Sequence, residues 1–295
     1  MPYLVSGETK LYYEEEGSGS PIVFLHEMTG DLRVWEHQIR YFSRNYRCIA
    51  FNARGYAPSD IPTVNAAYSQ AQAAADVAAI ITGLELDRPH IVGLSMGAYT
   101  ALHVGIQYPK LVRSLVVAGC GHGSARDAQA TWVQQATEWA ERLDRDGMEA
   151  VAKLYSHSPY RVQFREKDRR GWQEWATHLA LHDPRGLAMS VREVQGKRPS
   201  VLDLEEELRS MDLPVLLIAG DEDEPVLEIN LYLKRTISGS GLLMLPKTGH
   251  AVNSEEVGRF NTELSDFFHR VELGRWSGRN KEAVRTEIWL PQQDQ

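Results

Sequence analysis

The chain has 295 residues, with 32 Lys and Arg against 40 Asp and Glu, which gives a formal net charge of −8. This length is enough for one large domain, or for a core domain with a sizeable insertion. A net acidic chain has no overall electrostatic attraction for nucleic acid or for an anionic membrane, so we expect neither as a partner.

Targeting signals and disulfides are not expected. No apolar stretch approaches the roughly 18–20 residues that cross a bilayer, and the first residues do not combine a basic region with an apolar one, so we predict no secretion signal and a cytoplasmic location. Cys48 and Cys120 are too few for a disulfide scaffold of this size. Each lies in an apolar run and is expected to be a buried thiol.

Short apolar runs alternate with helical patterns along much of the chain. Residues 3–5 and 10–16 come first, and we expect them to pair as antiparallel strands at one edge of a sheet. Six continuous apolar runs follow, which is typical of parallel strands that are covered by helices on both faces. The alternation predicts an α/β fold with a mostly parallel sheet flanked by helices. The six runs are residues 21–25, 47–51, 90–94, 115–118, 215–219 and 242–245.

Two of the helices carry clear start signals. Ser69 and Gln72 have the spacing of a capping box, and apolar residues at helical spacing follow them. The last helix is expected to begin near Asn253, with Glu256 three residues further on, and it has a long apolar face.

Residues 122–212 interrupt the alternation, because they show helical patterns and no strand-like run. We predict a helical insertion there. Its tryptophans are interpreted either as the insertion's own small core or, for one or two of them, as the wall of a ligand cavity. The basic run at residues 161–170 is interpreted as a solvated helix face, with an anion site as the alternative. The tryptophans are Trp132, Trp139, Trp172 and Trp175.

The most informative motif is the pentapeptide Gly93-Leu94-Ser95-Met96-Gly97, which lies between a predicted strand and a predicted helix. In a G-x-S-x-G sequence the serine occupies a sharp turn from strand to helix, where larger residues in place of the glycines would clash. The hydroxyl is then exposed near a helix N-terminus, which favours negative charge. Ser95 is therefore predicted to be a nucleophile.

A serine nucleophile needs a general base, and the base needs an orienting acid. Three carboxylates follow the predicted strand at 215–219, namely Asp221, Glu222 and Asp223. Catalytic groups of open α/β sheets gather at the carboxyl ends of the strands. We therefore expect one of these acids to lie beside Ser95.

The base is expected among the ten histidines of the chain. His250 follows the predicted strand at 242–245 and precedes the final helix, which places it at the same edge of the sheet as Ser95. His122 also follows a strand end and stays open as an alternative base. His90 begins a strand and would lie at the opposite edge.

The chain resembles the α/β-hydrolase superfamily, in its form with a helical cap, over about residues 10–272. The order serine, acid, histidine is that of the superfamily. The resemblance implies a core domain made of residues 1–121 and 213–272, a cap at 122–212 and a C-terminal extension at 273–295. Further matching segments are PIVFLH followed by Gly30, NARGYAPSD at 52–60, GLSMG, GDED and TGH.

The resemblance also implies roles for individual residues. In the family the acid usually comes three residues after the glycine that closes the strand, which selects Asp223 over Asp221. The oxyanion hole is formed by two backbone N–H groups. Here these belong to Met96, which follows the nucleophile, and to Met28 in the loop after His26.

One position departs from the family pattern, because Glu27 follows His26 where the family commonly has glycine. A carboxylate beside an oxyanion hole opposes the charge that forms in the transition state. One interpretation is that Glu27 points away and pairs with a nearby base, with Arg54 as the candidate. The other is that it binds substrate or water, or narrows the site.

Together these residues predict a serine hydrolase that cleaves a small, largely apolar carboxylic ester or lactone through an acyl-enzyme on Ser95. The sequence has no zinc-ligand spacing and no nucleotide-binding glycine motif, so no metal and no cofactor is expected. The expected partner is a small-molecule substrate, and the expected state is a monomer or a homodimer. Carbon–carbon bond hydrolases and cofactor-free haloperoxidases share the same residues, and a small-molecule receptor is the alternative from another class.

Overall fold

A computed structural model describes residues 2–280 and 282–284 of the chain. Its eight strands are β1 (Tyr3–Ser6), β2 (Thr9–Glu16), β3 (Ser20–Leu25), β4 (Tyr46–Phe51), β5 (His90–Leu94), β6 (Ser114–Ala118), β7 (Val215–Gly220) and β8 (Ser240–Leu245). They form one sheet in the order β1-β2-β4-β3-β5-β6-β7-β8. β1 pairs antiparallel with β2 and β2 with β4, whereas every other neighbouring pair is parallel. The predicted fold class is confirmed, including the antiparallel pair at the edge.

Both faces of the sheet are buried, and β3 shows why its sequence is apolar throughout. Val23 and Leu25 belong to one hydrophobic cluster, whereas Ile22 and Phe24 belong to the other. Successive side chains of a strand point to opposite faces. Because helices cover both faces of the sheet, neither face of this strand contacts water over residues 21–25, which are apolar at every position.

Helices cover the two faces and the carboxyl edge of the sheet. α2 and α3 pack on the Val23 face, and α1 and α11 pack on the Phe24 face. The helices are α1 (Glu36–Phe42), α2 (Gln70–Gly83), α3 (Met96–Gln107), α4 (Gln129–Tyr155), α5 (Val162–Lys167), α6 (Arg169–Ala180), α7 (Pro184–Met189), α8 (Glu205–Ser210), α9 (Leu227–Thr236), α10 (Val252–Glu255) and α11 (Val257–Glu272).

The predicted helix starts are formed only in part. Ser69 caps α2 by accepting a hydrogen bond from the Gln72 N–H at 3.0 Å, but the Gln72 side chain donates to Asp76 at 3.1 Å instead of closing the box. Asn253 does not cap the final helix. The helical segment breaks at Glu256 into α10 and α11, and Asn253 lies inside α10. Its side chain donates to the backbone oxygen of Val34 at 2.8 Å.

The stretch between β6 and β7 holds α4 to α8 and contains no strand, in agreement with the predicted helical insertion. One hydrophobic cluster joins Leu143 and Trp175 of the insertion to Met28 and Met96 at the carboxyl edge of the sheet. Leu208 of α8 packs instead with the main core. The insertion therefore lies over the edge where the strands end, and its boundaries at residues 122 and 212 stay a prediction.

The C-terminal extension is described only at its beginning. Trp276 donates to the backbone oxygen of Gly239 at 2.8 Å, and its ring lies 4.6 Å from that of Phe267. This part of the extension contacts the core, whereas residues 281 and 285–295 lie outside the described residues. Within residues 2–280 and 282–284, no helix combines the length and the apolar character needed to cross a bilayer. Cys48 and Cys120 are buried free thiols, as predicted.

Candidate active site

Ser95 lies on the sharp turn between β5 and α3, with a backbone φ of +54°. Its two flanking glycines are needed for close backbone approach. A Cβ atom on Gly93 would lie 2.2 Å from the backbone oxygen of Gly97, and one on Gly97 would lie 2.1 Å from that of Leu25. The strained turn is held by this packing, and it presents the serine hydroxyl at the carboxyl edge of the sheet.

His250 and Asp223 come from the loops after β8 and β7, and the structure brings both to Ser95. The Nε2 atom of His250 lies 2.9 Å from the Ser95 Oγ, and its Nδ1 atom lies 2.6 Å from Oδ2 of Asp223. His250 is 4% exposed and Asp223 2% exposed. The three side chains form one hydrogen-bonded relay, although Ser95 and His250 are 155 residues apart along the chain. His250 and Asp223 are buried, and Ser95 is half-buried. Asp221, the other candidate acid, accepts the N–H of Thr248 at 3.2 Å instead.

His122 adds a second histidine to the same carboxylate. Its Nε2 atom lies 3.1 Å from Oδ1 of Asp223, and its ring centre lies 4.9 Å from that of His250. The hydrogen bond to Ser95 belongs to His250. His122 is therefore an additional hydrogen-bond partner of Asp223, and His250 has the position expected of the base.

The charges of this cluster are set by burial and by pairing. Burial alone would raise the pKa of the Asp223 carboxyl, but the neighbouring His250 and the hydrogen bonds from both histidines hold it well below its usual range. Burial would lower the pKa of His250, yet the charge and hydrogen bond of Asp223 outweigh it and raise the pKa above its ordinary value. Burial dominates for His122 and lowers its pKa. Asp223 is thus ionised at neutral pH.

The loop that carries His250 is fixed by a residue that the sequence analysis missed. Glu255 accepts hydrogen bonds from the backbone N–H groups of Gly249 at 2.7 Å and Ala251 at 3.1 Å, which flank the histidine. Burial raises the pKa of the Glu255 carboxyl. Glu255 is the last residue of α10. No local sequence pattern marks such an acid, since its role depends on how the loop before α10 folds back onto it.

The expected oxyanion donors lie beside the serine. Met28 and Ser95 line the same cavity, and Met96 is the first residue of α3. The Tyr56 hydroxyl donates to the backbone oxygen of Met28 at 2.9 Å, in the peptide group that follows the expected donor N–H. The N–H of Met96 belongs to the first turn of a helix, where it has no partner within the helix.

Glu27 pairs with Arg161 and not with Arg54, so the candidate partner named from the sequence is wrong. Arg54 pairs with Asp76 at 2.7 Å. The Arg161 guanidinium donates to Glu27 and, at 2.7 Å, to Thr29. The pair forms because the insertion folds back over the loop after β3, which brings residues 134 positions apart into contact.

The interpretation of the basic run as a solvated helix face is also wrong for its first residue. Arg161 is 1% exposed, and its guanidinium carbon lies 4.2 Å from the ring centre of Trp175. Burial would lower the pKa of Arg161, but the charge of Glu27 raises it. Lys167, further along the run, contacts Thr248 at 3.0 Å and Glu256 at 2.6 Å. Arg161 and Lys167 therefore connect the insertion to the core, whereas Arg169 and Arg170 are exposed, as the solvated face predicts.

A cavity of about 100 Å³ opens over Ser95. Trp132 and Trp139 line it, whereas Trp175 is buried in the insertion's hydrophobic cluster and Trp172 packs at its margin. Trp139 also packs at the margin of that cluster, so it belongs to both groups, and binding of a ligand in the cavity stays a prediction. The remaining lining residues are Met28, Ser95, His122, Gln135, Ala136, Tyr155, Tyr160, Val191, Gln195, Arg198 and His250.

The relay is also where possible metal ligands come together in the described part of the chain. The ligand atoms of His122, Asp223 and His250 lie within 4.8 Å of one another. They are already hydrogen-bonded among themselves, and His250 reaches Ser95 as well. This arrangement suits proton transfer between Ser95 and His250.

A sequence model of the alpha/beta hydrolase fold family matches residues 20–257, which include all the strands of the parallel sheet and the relay. The chain belongs to the alpha/beta hydrolase fold family.

Individual relatives share most of their length with this chain. The 3-oxoadipate enol-lactonase 2 of Acinetobacter baylyi is 26% identical over 242 residues, which cover 81% of this chain and 85% of the enzyme. The solved enol-lactonase from Burkholderia xenovorans LB400 superposes with a TM-score of 0.80 and 22% identity, covering 91% of this chain and all of the other. A thermophilic esterase from Thermogutta terrifontis superposes with a TM-score of 0.80 and 23% identity, covering 92% and 98%. The two structures show the common fold.

Proposed function

We propose that the protein is a serine hydrolase that cleaves a small carboxylic ester or lactone. The observation that carries this proposal is the relay, in which His250 lies 2.9 Å from the Ser95 Oγ and 2.6 Å from Asp223. A hydroxyl so placed can pass its proton to the imidazole as it attacks a carbonyl carbon, and the carboxylate holds the ring in the required tautomer.

In the first half of the reaction, the Ser95 Oγ bonds to the carbonyl carbon while His250 Nε2 takes its proton. The carbonyl oxygen becomes an oxyanion, which the N–H groups of Met28 and Met96 stabilise. The tetrahedral intermediate then expels the alcohol oxygen, which receives the proton from His250. An acyl-enzyme remains, and a lactone keeps its alcohol on the same acyl chain.

In the second half, a water molecule attacks the acyl carbon as His250 takes one of its protons. Collapse of this second intermediate breaks the bond to Ser95, and the serine oxygen regains a proton from His250. The ionised Asp223 stabilises the imidazolium in both halves and does not itself take a proton. The products are a carboxylic acid and an alcohol, or one hydroxy acid from a lactone.

The cavity and the relatives support the type of substrate. Most of the cavity wall is aromatic or aliphatic, and its small volume favours a small molecule. One relative is a 3-oxoadipate enol-lactonase, and one of the similar solved structures is an esterase. Both names refer to cleavage of an ester bond, which the relay is suited to perform.

The test combines covalent labelling with a panel of acyl esters and lactones. A fluorophosphonate probe should label Ser95, and Ser95→Ala should lower kcat on every active substrate by about ten-thousandfold or more. Ser210→Ala, an exposed serine on α8, is the matched control and should leave labelling and turnover unchanged. Wild-type rates in Ser95→Ala would refute the proposal, and a single slow turnover would favour the receptor alternative.

A further inference from the structure

The cavity over Ser95 carries one permanent charge that the proposed mechanism does not use. Of its described lining residues none is an aspartate or a glutamate, and Arg198 is the cationic one apart from the two histidines. Arg198 follows the helical turn at Ser190–Gln195, between α7 and α8. Any role of this charge in substrate binding rests on the proposed hydrolase function.

Arg198 differs from the two basic residues nearest to it in sequence. Arg192 pairs with Asp144 at 2.6 Å and Lys197 with Glu193 at 2.6 Å, and both lie toward the surface. Arg198 has no such acidic partner among the described residues. Arg198 is half-buried, and this burial lowers the pKa of its guanidinium, since no carboxylate offsets the loss of hydration.

The guanidinium is instead held in place by neutral groups. Its carbon lies 3.6 Å from the ring centre of Tyr99 and 5.2 Å from that of Trp132. Two of its nitrogens donate to the backbone oxygen of His122 at 2.7 Å and to Oε1 of Gln195 at 2.5 Å. A guanidinium has five N–H donors, so these contacts orient it rigidly while leaving donors free.

Gln195 supplies a second donor in the same cavity. Its side chain is 3% exposed, and its Nε2 atom is buried without a hydrogen-bond partner within the described residues. Its Oε1 atom is the one that accepts from Arg198, which turns the amide nitrogen away from that contact. An unpartnered buried amide is costly to a folded protein unless a ligand satisfies it.

We propose that Arg198 and Gln195 form a subsite for a carboxylate of the substrate, at a distance from the carbonyl that Ser95 attacks. The subsite combines an unpaired cation with a free amide N–H₂, and a planar carboxylate can accept hydrogen bonds from both. His122 lies between this subsite and the relay, because its backbone oxygen contacts Arg198 and its ring contacts Asp223. The substrate is thus an ester or lactone with one additional carboxylate.

The kinetic test uses two matched pairs of esters. In the first pair, the p-nitrophenyl monoester of glutaric acid is compared with p-nitrophenyl pentanoate, which has the same number of acyl carbons and no charge. In the second pair the carboxylate is placed on the alcohol. We expect the anionic ester of at least one pair to have a kcat/KM about tenfold or more above its neutral match, chiefly through KM. Equal or better use of the neutral ester in both pairs would overturn the subsite.

Variants then connect the preference to the residues. Arg198→Met should remove the preference for the anionic ester, Arg198→Lys should keep part of it, and Gln195→Met should reduce it. Arg192→Met, which removes a paired arginine from the same segment, is the matched control and should keep the full preference. A full preference in Arg198→Met would also overturn the proposal.

A binding measurement separates the subsite from the hydrolase function. Glutarate should bind to Ser95→Ala, measured by titration calorimetry, and Arg198→Met in the same background should weaken this binding about tenfold or more. Hydrolysis of esters without any anion preference and without glutarate binding would leave the hydrolase standing and refute the subsite. Glutarate binding without hydrolysis of any ester would support the subsite and refute the hydrolase function.

Discussion

At the scale of single residues, the Asp223 carboxylate is the centre of the site, because each of its oxygens contacts a different histidine. His250 lies on Oδ2 and reaches Ser95, whereas His122 lies on Oδ1. Both histidines follow the ends of strands, so their positions along the chain do not distinguish them. Their hydrogen bonds distinguish them, because only His250 contacts both Asp223 and Ser95. We therefore expect substitution of the two histidines to have very different effects.

We expect His250→Ala to lower kcat by several orders of magnitude, since the serine loses its base. His122→Ala should lower kcat by only about tenfold, the effect of removing one hydrogen bond to a charged group. Both variants would be assayed on the best ester of the panel, after checking that each is folded by circular dichroism. A larger loss in His122→Ala than in His250→Ala would contradict the assignment of the base.

The raised pKa of His250 predicts the acid limb of the pH profile. The ring must be neutral to accept the serine proton, so kcat/KM should rise with pH through a midpoint above the ordinary 6.5. Asp223→Asn removes the charge that raises this pKa, and it should move the midpoint to lower pH as well as lowering kcat. His37→Gln, at an exposed histidine, serves as the control and should not shift the limb. A wild-type midpoint below 6.5 would be inconsistent with a buried ion pair between His250 and Asp223.

At the scale of elements, the site is assembled from the carboxyl ends of β5, β7 and β8, together with the first turn of α3. The turn at Ser95 is rigid because Gly93 and Gly97 pack against backbone atoms. The loop after β8 also packs closely against the sheet, since a Cβ atom on Gly220 would lie 2.1 Å from the backbone oxygen of Thr248. Its conformation depends on Glu255, which accepts the two N–H groups on either side of His250.

We therefore expect Glu255→Gln to misplace His250, because an amide can accept only one of these two hydrogen bonds without turning its own N–H₂ toward a donor. The variant should lose about tenfold in kcat with little change in KM, and about 1–3 kcal/mol of unfolding free energy. Steady-state kinetics and urea unfolding would measure both effects. Glu256→Gln is the matched control, since its side chain contacts Lys167 and not the backbone beside His250, and it should change neither quantity much. A normal kcat in Glu255→Gln would show that the loop holds its shape without the acid.

At the scale of the whole molecule, the insertion is held over the site by charges as well as by its apolar cluster. Arg161 and Glu27 are both buried, and Glu27 directly precedes Met28, an expected oxyanion donor. Lys167 adds a contact with Glu256 beside the loop of His250. The insertion therefore contacts both the loop that carries Met28 and the segment that follows His250.

Breaking the buried pair should be far more damaging than breaking an exposed one. Arg161→Met leaves the Glu27 carboxylate buried and unpaired, and should cost about 3–5 kcal/mol of unfolding free energy. Arg145→Met disrupts the exposed pair with Asp146 and should change the unfolding free energy far less.

Adding Glu27→Gln to Arg161→Met should recover much of the loss, because the uncompensated charge is then removed. Urea unfolding of the single and double variants would measure this, with the exposed variant as the control. If Arg161→Met were as stable as Arg145→Met, the pair would not contribute to holding the insertion in place.

The strand segments, the turn at Ser95 and the edge of the sheet that holds the relay could be predicted from the sequence because each depends on local patterns, whereas the order of the strands in the sheet was not predicted. Continuous apolar runs mark strands with two covered faces. Glycines at 93 and 97 mark a backbone that must approach its neighbours closely. The rule that sites lie at the carboxyl ends of parallel strands then indicates one edge of the sheet, where the structure also places Asp223 and His250.

Other features were decided only when the insertion packed on the core. The partner of Glu27 is 134 residues away, the second histidine on Asp223 is 101 residues from it, and Arg198 reaches His122 across 76 residues. No local periodicity encodes such contacts, because a charged side chain in a helical pattern is equally compatible with a solvated face and with a buried partner. The packing of the insertion on the core decides between the two. A charged side chain that this packing removes from water can form hydrogen bonds and ion pairs only with the groups that the fold places next to it.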